Sequence, residues 1–308
     1  MRIAFINTLI KEAEKNKDIM LLTGDLGFTV FEQFKEKFPD RFINVGVAEQ
    51  NLMGIAAGLA FGGKTVFAYS IATFATMRPF EQIRTDIASH NLSVIIVGSG
   101  AGLSYGHDSI THHATEDIHL MRGIPGITIL SPADPYEVVW ATKESIKLKK
   151  PVYLRLGKRG EPLLYKKPSK LELGKGSIIL RGKDIAIIAT GNIVSNALEA
   201  AKIISKSNIS TAVISMHTLK PIDKQLIKRL SKKFSIIVSV EEHSTIGGLG
   251  SSIAELIAEN KYQVKLIRIG IPDRFLFEIG SQNFLRQKIG LNPEQIAKKI
   301  YHTIKSMR

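Results

Sequence analysis

Residues 43–62 read INVGVAEQNLMGIAAGLAFG, an apolar run with a single charged side chain, Glu49. Residues 44–47 look like strand, and from Ala48 onward the small and aliphatic residues suit a buried helix. Glu49 then falls in the first helical turn, where the aligned peptide dipoles tolerate an anion. A carboxylate in such a place is costly unless a partner neutralises it or chemistry requires it. The competing reading is an ordinary solvated glutamate at a helix start. Gly54, Ala56, Ala57 and Gly58 make the helix thin, so another backbone is expected to approach it closely.

Outward from this run, strand-like and helix-like stretches alternate. Strands are expected at 20–22, 65–68, 94–97, 128–130 and 151–156, with helices at 51–61, 77–88, 116–121 and 135–147. This is the rhythm of an α/β domain with a mostly parallel sheet. Residues 158–176 (KRGEPLLYKKPSKLELGKG) shift to Lys, Gly and Pro and read as a linker. A second α/β unit follows, with strands at 184–190, 211–215, 235–240 and 264–269 and helices at 195–205, 223–230, 250–259 and 293–305. Asp223, after Pro221, stands where a helix N-cap belongs. The expected domains are therefore 1–160 and 179–308, joined by 161–178, each a doubly wound α/β layer structure.

The 308 residues contain no cysteine, which excludes disulfides, thiolate catalysis and Cys-based metal centres. No apolar run reaches the ~18–20 residues of a membrane span without a charge or polar break, so no membrane partner and a cytoplasmic location are expected. Net charge is +14. That balance fits anionic substrates, an acidic partner or nucleic acid, but the lysines are spread in pairs, as on a solvated surface. No nucleic-acid-binding motif accompanies them, and no nucleic-acid partner is expected.

Two further segments carry candidate chemistry. Residues 105–122, YGHDSITHHATEDIHLMR, crowd His107, Asp108, His112, His113, Glu116 and His119 together. His112, Glu116 and His119 have i, i+4, i+7 spacing, so a metal site, a polar substrate site and a solvated helix face all remain open. In residues 68–84, AYSIATFATMRPFEQIR, Phe74, Met77 and Phe80 recur at i, i+3, i+6. They form either a core face or an apolar clamp for a flat ligand.

Taken in order, TGDLG at 23–27, VGVAEQNLMGIAAGLA at 45–60, ATFATMRPFEQIRTDIA at 72–88 and GLSYGHDSITHHATEDIHLMRGIPGITILSPAD at 102–134 resemble the C-terminal half of transketolase. VEEHSTIGGLGS at 240–251 and IGIPDRFLFEIGS at 269–281 extend the likeness over essentially the whole chain. The sequence resembles in particular the stand-alone C-terminal subunit of split transketolases, and is similar to the matching half of 1-deoxyxylulose-5-phosphate synthase.

The resemblance implies a pyrimidine-binding thiamine-diphosphate fold followed by a transketolase C-terminal domain, and transfer of a two-carbon ketol unit from a ketose to an aldose. It implies that Glu49 is catalytic and faces N1′ of the cofactor's aminopyrimidine. It places Phe74 on that ring, Met77, Phe80 and Asp25 at further cofactor positions, and Asp108, His112 and His113 toward the sugar, with His112 also catalytic. Lys158, with Arg159 beside it, aligns with an arginine that binds substrate phosphate, and glycine is common in the family where Ser109 stands. No metal ligand is assigned to this chain. The family's GDG segment and its later Asn, which hold Mg²⁺ or Ca²⁺ and the diphosphate, are not found here. An N-terminal partner subunit carrying them, in an α2β2 assembly, is the expectation. A deoxyxylulose-phosphate-synthase-like condensation, a 2-oxo acid dehydrogenase β-type subunit and a regulatory scaffold paralogue are the alternatives.

Overall fold

A computed structural model describes residues 1–158, 160–165 and 170–306. Arg159, expected beside the substrate, lies outside them. Among the described residues, strands β1 (Ile19–Thr23), β2 (Phe42–Asn44), β3 (Thr65–Ile71), β4 (Val94–Ser99), β5 (Thr128–Leu130) and β6 (Val152–Leu156) precede β7 (Ser177–Leu180). Then come β8 (Ile185–Thr190), β9 (Thr211–Ser215), β10 (Thr218–Lys220), β11 (Ile236–Ser244) and β12 (Lys265–Ile271). They form two sheets, ordered β10-β5-β6-β4-β3-β1-β2 and β12-β11-β8-β9-β7.

Both sheets are parallel except at one edge, where β10 runs antiparallel to β5 and β7 antiparallel to β9. Their central strands are buried on both faces, so they read as continuous apolar runs rather than alternations. The alternation exists but points into two cores. In β3, Val66 and Ala68 join one core while Phe67 and Tyr69 join the other. The first of these cores also receives Ala186, Ile188 and Ile214 from the second sheet, so it lies between the two sheets. A third core, built on Ile185, Ile187 and Ala189, covers the far face of the second sheet.

The strand at 218–220 is absent from the sequence pattern, and it crosses from the second unit into the first sheet. Three residues, Thr-Leu-Lys, are too short to show a period. Their pairing depends on an open edge at β5, a tertiary matter. Asp223 does cap its helix, accepting from Leu226 N–H at 2.9 Å.

Residues 43–62 fold as strand, turn and helix. β2 ends at Asn44, earlier than its apolar continuation suggested, and the helix Glu49–Phe61 begins after Ala48. Leu52, Met53, Ala56, Ala57 and Ala60 form the inward stripe of that helix. Gly54 and Gly58 face open space, so the close packing expected of all four small residues occurs only at the alanines. Among the described residues, no helix is long and apolar enough to cross a membrane.

Candidate active site

Glu49 is buried, with 3% of its surface exposed, and its carboxylate is partnered. Oε1 accepts the Ser70 hydroxyl at 3.3 Å, from β3. Oε2 accepts Nη1 of Arg78 at 2.8 Å. Ser70 reaches it because β3 runs beneath the helix start. Arg78 reaches it because the helix Ala72–Met77 stops just before Arg78-Pro79.

That stop also separates the three apolar residues expected on one helical face. Phe74 is half-buried, and the Arg78 guanidinium lies 3.9 Å from its ring centroid. Met77 is exposed and lines a neighbouring cavity of about 430 Å³ together with His113, Glu116, Arg274 and Phe275. Phe80 starts a new turn and packs against the core between the sheets.

The His-rich segment is not one helix. A 3₁₀ turn, Gly106–Thr111, is followed by an irregular stretch, and the helix Asp117–Gly123 begins after Glu116. His112, Glu116 and His119 therefore do not share a helical face. Among the described residues, no three His, Asp or Glu side chains gather as a metal cluster. His112 instead meets Phe74 edge-on, ring centroids 5.0 Å apart, and lies 5.8 Å from Tyr105. Its Nδ1 is 2.8 Å from the Thr111 hydroxyl. Lys158 Nζ lies 3.9 Å from the Tyr105 centroid. A continuous row thus runs Glu49, Arg78, Phe74, His112, Tyr105, Lys158.

His113, next to His112 in sequence, is buried, and burial holds its imidazole below the usual range. Burial raises the Glu116 carboxyl. Asp108 stands exposed on the 3₁₀ turn. Asp25 is exposed at the end of β1, exchanging hydrogen bonds with Asn44 at the end of β2: its N–H donates to Oδ1 at 2.9 Å and its Oδ1 accepts Nδ2 at 3.0 Å. Neighbouring Gly24 is the close point on that loop, since a Cβ there would come within 3.8 Å of Glu49 Oε1.

The loop bearing Asp108 and His112 is held from the second unit. Glu242 of β11, 1% exposed, accepts Leu103 N–H at 2.6 Å and Gln282 Nε2 at 2.7 Å, and pairs with Arg286. The backbone at 102 meets that at 114 in a short bridge, closing the loop. Glu242 was not singled out in the sequence, because it lies 139 positions from Leu103.

The order of elements and this site find counterparts in known proteins. Residues 1–161 match the family described as transketolase, pyrimidine binding domain, and residues 174–296 match transketolase, C-terminal domain. The chain belongs to the transketolase family. Its relatives there include a provisionally named transketolase C-terminal section of Methanocaldococcus jannaschii, 42% identical over 99% of this chain and 96% of that protein. A 6-deoxy-6-sulfo-D-fructose transketolase subunit of a Clostridium species is 36% identical over 97% of this chain and 92% of that protein. Among solved structures, a split-gene transketolase described as an inactive β4 tetramer superposes with a TM-score of 0.88 at 36% identity, covering 99% of this chain and 98% of that one.

Transketolases are thiamine-diphosphate enzymes, and the residues present fit the aminopyrimidine end of that cofactor. The face of Phe74 already carries a flat nitrogenous group, the Arg78 guanidinium, whose nitrogen also reaches the buried carboxylate of Glu49. A site that accepts one planar nitrogenous group in this position has the shape for another, whose ring nitrogen would share a proton with the carboxyl group. Of the residues the sequence singled out, Glu49, Phe74, His112 and Lys158 lie along the row. Arg78 and Tyr105 belong to it too, and Ser70 supports it at Glu49; sequence reasoning missed all three. Arg78 was legible only as part of the motif around Phe74.

Proposed function

We propose that this chain is the C-terminal subunit of a two-component, thiamine-diphosphate-dependent transketolase that moves a two-carbon ketol unit from a ketose to an aldose. The observation that carries the reading is the meeting of Phe74 and His112, ring centroids 5.0 Å apart, beside the buried carboxylate of Glu49. It sets an aromatic ring and an imidazole side by side, as a stacked pyrimidine and an adjoining sugar would need.

Glu49 would hold the cofactor at N1′ of its aminopyrimidine and share a proton there. Phe74 would carry the ring face and exclude water from it. When bound, thiamine diphosphate supplies the electron sink for making and breaking carbon–carbon bonds next to a carbonyl. Asp108 and His112 would hold sugar hydroxyls, with His113 next to His112 in sequence. Met77 and Asp25 would border the cofactor, and Phe80 would support the segment that carries Phe74.

The diphosphate and its Mg²⁺ or Ca²⁺ would be held by an N-terminal partner subunit, and the active site would lie between the two chains in an α2β2 assembly. Supporting this is the near-full-length match to proteins that are themselves named transketolase subunits. Lys158, with Arg159 next in sequence, would receive an anionic end of the sugar. In support of this reading, one relative is named for 6-deoxy-6-sulfo-D-fructose, a sugar that ends in an anion.

The test is Glu49→Gln in the reconstituted pair. Turnover should vanish while the circular dichroism of the chain stays unchanged. Full activity with Gln at this position would overturn the reading.

A further inference from the structure

Arg78 is not among the positions the resemblance assigns to cofactor or sugar, yet it takes both of the contacts that the aminopyrimidine needs. Its Nη1 donates to Glu49 Oε2 at 2.8 Å, and its guanidinium carbon lies 3.9 Å from the centroid of Phe74. A guanidinium is flat, delocalised and rich in N–H donors, so it stacks on an aromatic face and pairs with a carboxylate at once. An aminopyrimidine is equally flat, and its ring nitrogen pairs with a carboxyl group by sharing a proton. Both groups cannot stand on the same side of Phe74 and at the same carboxylate oxygen.

We propose that Arg78 is a placeholder for the aminopyrimidine: it holds Glu49 and Phe74 in position in the free chain and must swing away when the ring enters. The proposal rests on the reading of Glu49 and Phe74 as the pyrimidine site. The surroundings suit such an exchange. Glu49 is 3% exposed, and among the described residues its buried carboxylate without Arg78 keeps only the Ser70 hydroxyl, at 3.3 Å. A buried carboxylate left this way is costly, which is why an occupant is needed before the cofactor arrives. Arg78 itself is 48% exposed, so its charge regains water as it leaves. Beside the pair a cavity of about 530 Å³, lined by Val47, Ala48, Glu49, Gln50, Asn51 and Arg78, opens toward solvent and offers the approach. Arg78 also sits at the C-terminal end of a short helix and before Pro79, so its side chain can change direction without dismantling a long helix.

The consequence is a conformational tax on cofactor binding. A ligand that needs a state populated a tenth of the time binds about tenfold more weakly than to a preformed site. The test uses the full chain and 4-amino-2-methylpyrimidine as probe, with affinity read from chemical-shift titration. Arg78→Ala should bind the probe at least about tenfold more tightly than the wild type. Arg78→Lys, which keeps the charge but loses the flat face, should fall between them and guards against a folding defect in the alanine variant. Adding Glu49→Gln to Arg78→Ala should remove the gain. If the probe binds wild type and both Arg78 variants equally, or binds the variants more weakly, the placeholder is overturned while the pyrimidine site stands. If the probe binds none of them at millimolar concentration, the pyrimidine-site reading fails and the placeholder with it.

Discussion

Arg155 of β6 forks onto Asp117 of the helix Asp117–Gly123, Nε to Oδ2 at 2.7 Å and Nη2 to Oδ1 at 3.2 Å, with both side chains almost fully buried. Nη2 also donates to the backbone oxygens of Ala114 and Glu242, at 3.0 and 3.1 Å. One guanidinium therefore ties the first sheet, the loop ending at Ala114 and the strand β11 of the second sheet. Burial alone would raise the Asp117 carboxyl, but Arg155 and the Tyr153 hydroxyl outweigh it and hold it below the usual range.

Breaking this pair from one side leaves a buried charge without its counter-ion. Asp117→Asn should lower unfolding free energy by ~3–5 kcal/mol. Asp117→Asn with Arg155→Met should recover part of that loss. Urea unfolding of the three proteins checks it; a single variant as stable as wild type would show that the pair holds nothing together.

Phe74 offers a separate handle on the cofactor. Because it is half-buried, Phe74→Ala should leave the fold intact. It removes the ring that meets His112 and carries the Arg78 guanidinium. In the reconstituted pair, the concentration of thiamine diphosphate giving half-maximal activity should rise by roughly tenfold, the scale of one lost aromatic contact. Unchanged cofactor dependence would separate Phe74 from the pyrimidine ring.

Ser109 stores strain beside the proposed sugar contacts. Its φ of 61° and ψ of −158° fall in a region that glycine alone enters freely. Ser109→Gly should stabilise the chain by about 1 kcal/mol, the relief of strain exceeding the extra freedom given to the unfolded chain. Thermal unfolding reads this directly, and a lower melting temperature would mean that the side chain of Ser109 contributes more than its backbone costs.

Glu137 makes stability depend on pH. Burial pushes its carboxyl up to about 7 from an ordinary value of 4.5, although the Tyr165 hydroxyl and the Ala133 N–H donate to it at 2.5 and 2.6 Å. Between those values the folded chain holds a proton that the unfolded chain has lost. The contribution of Glu137 is thus fully present below about pH 4.5 and falls as pH rises to about 7. The loss amounts to roughly 3 kcal/mol at most. His217 and His243, pushed down to about 4 by burial, act in the opposite sense as pH falls below the ordinary histidine value of 6.5. A comparison of variants isolates the carboxyl: Glu137→Gln should gain on the wild type steadily between pH 5 and pH 7. Parallel stability curves across that window would remove Glu137 as a titrating group.

Much of this molecule was legible locally. Apolar runs with both faces buried mark β3, β4, β6 and β8. The small, aliphatic stretch after Ala48 marks the helix that presents Glu49, and the motif order along the chain marks the family. These features depend on neighbours within a few residues, where backbone geometry and side-chain spacing decide the outcome. Other features depend on which elements meet. The partner of Glu49 was set by where the helix after β3 stops. Arg78 lies 29 positions from Glu49, and spacing along the chain carries no information about that contact. The alignment of Phe74 with His112, the seat of Lys158 over Tyr105 and the passage of β10 into the first sheet arise in the same way. The sequence alone determined that a carboxylate would stand at the start of a buried helix. Only the tertiary structure decided what neutralises it, because a buried charge takes its partner from whatever the packed elements bring within hydrogen-bonding reach.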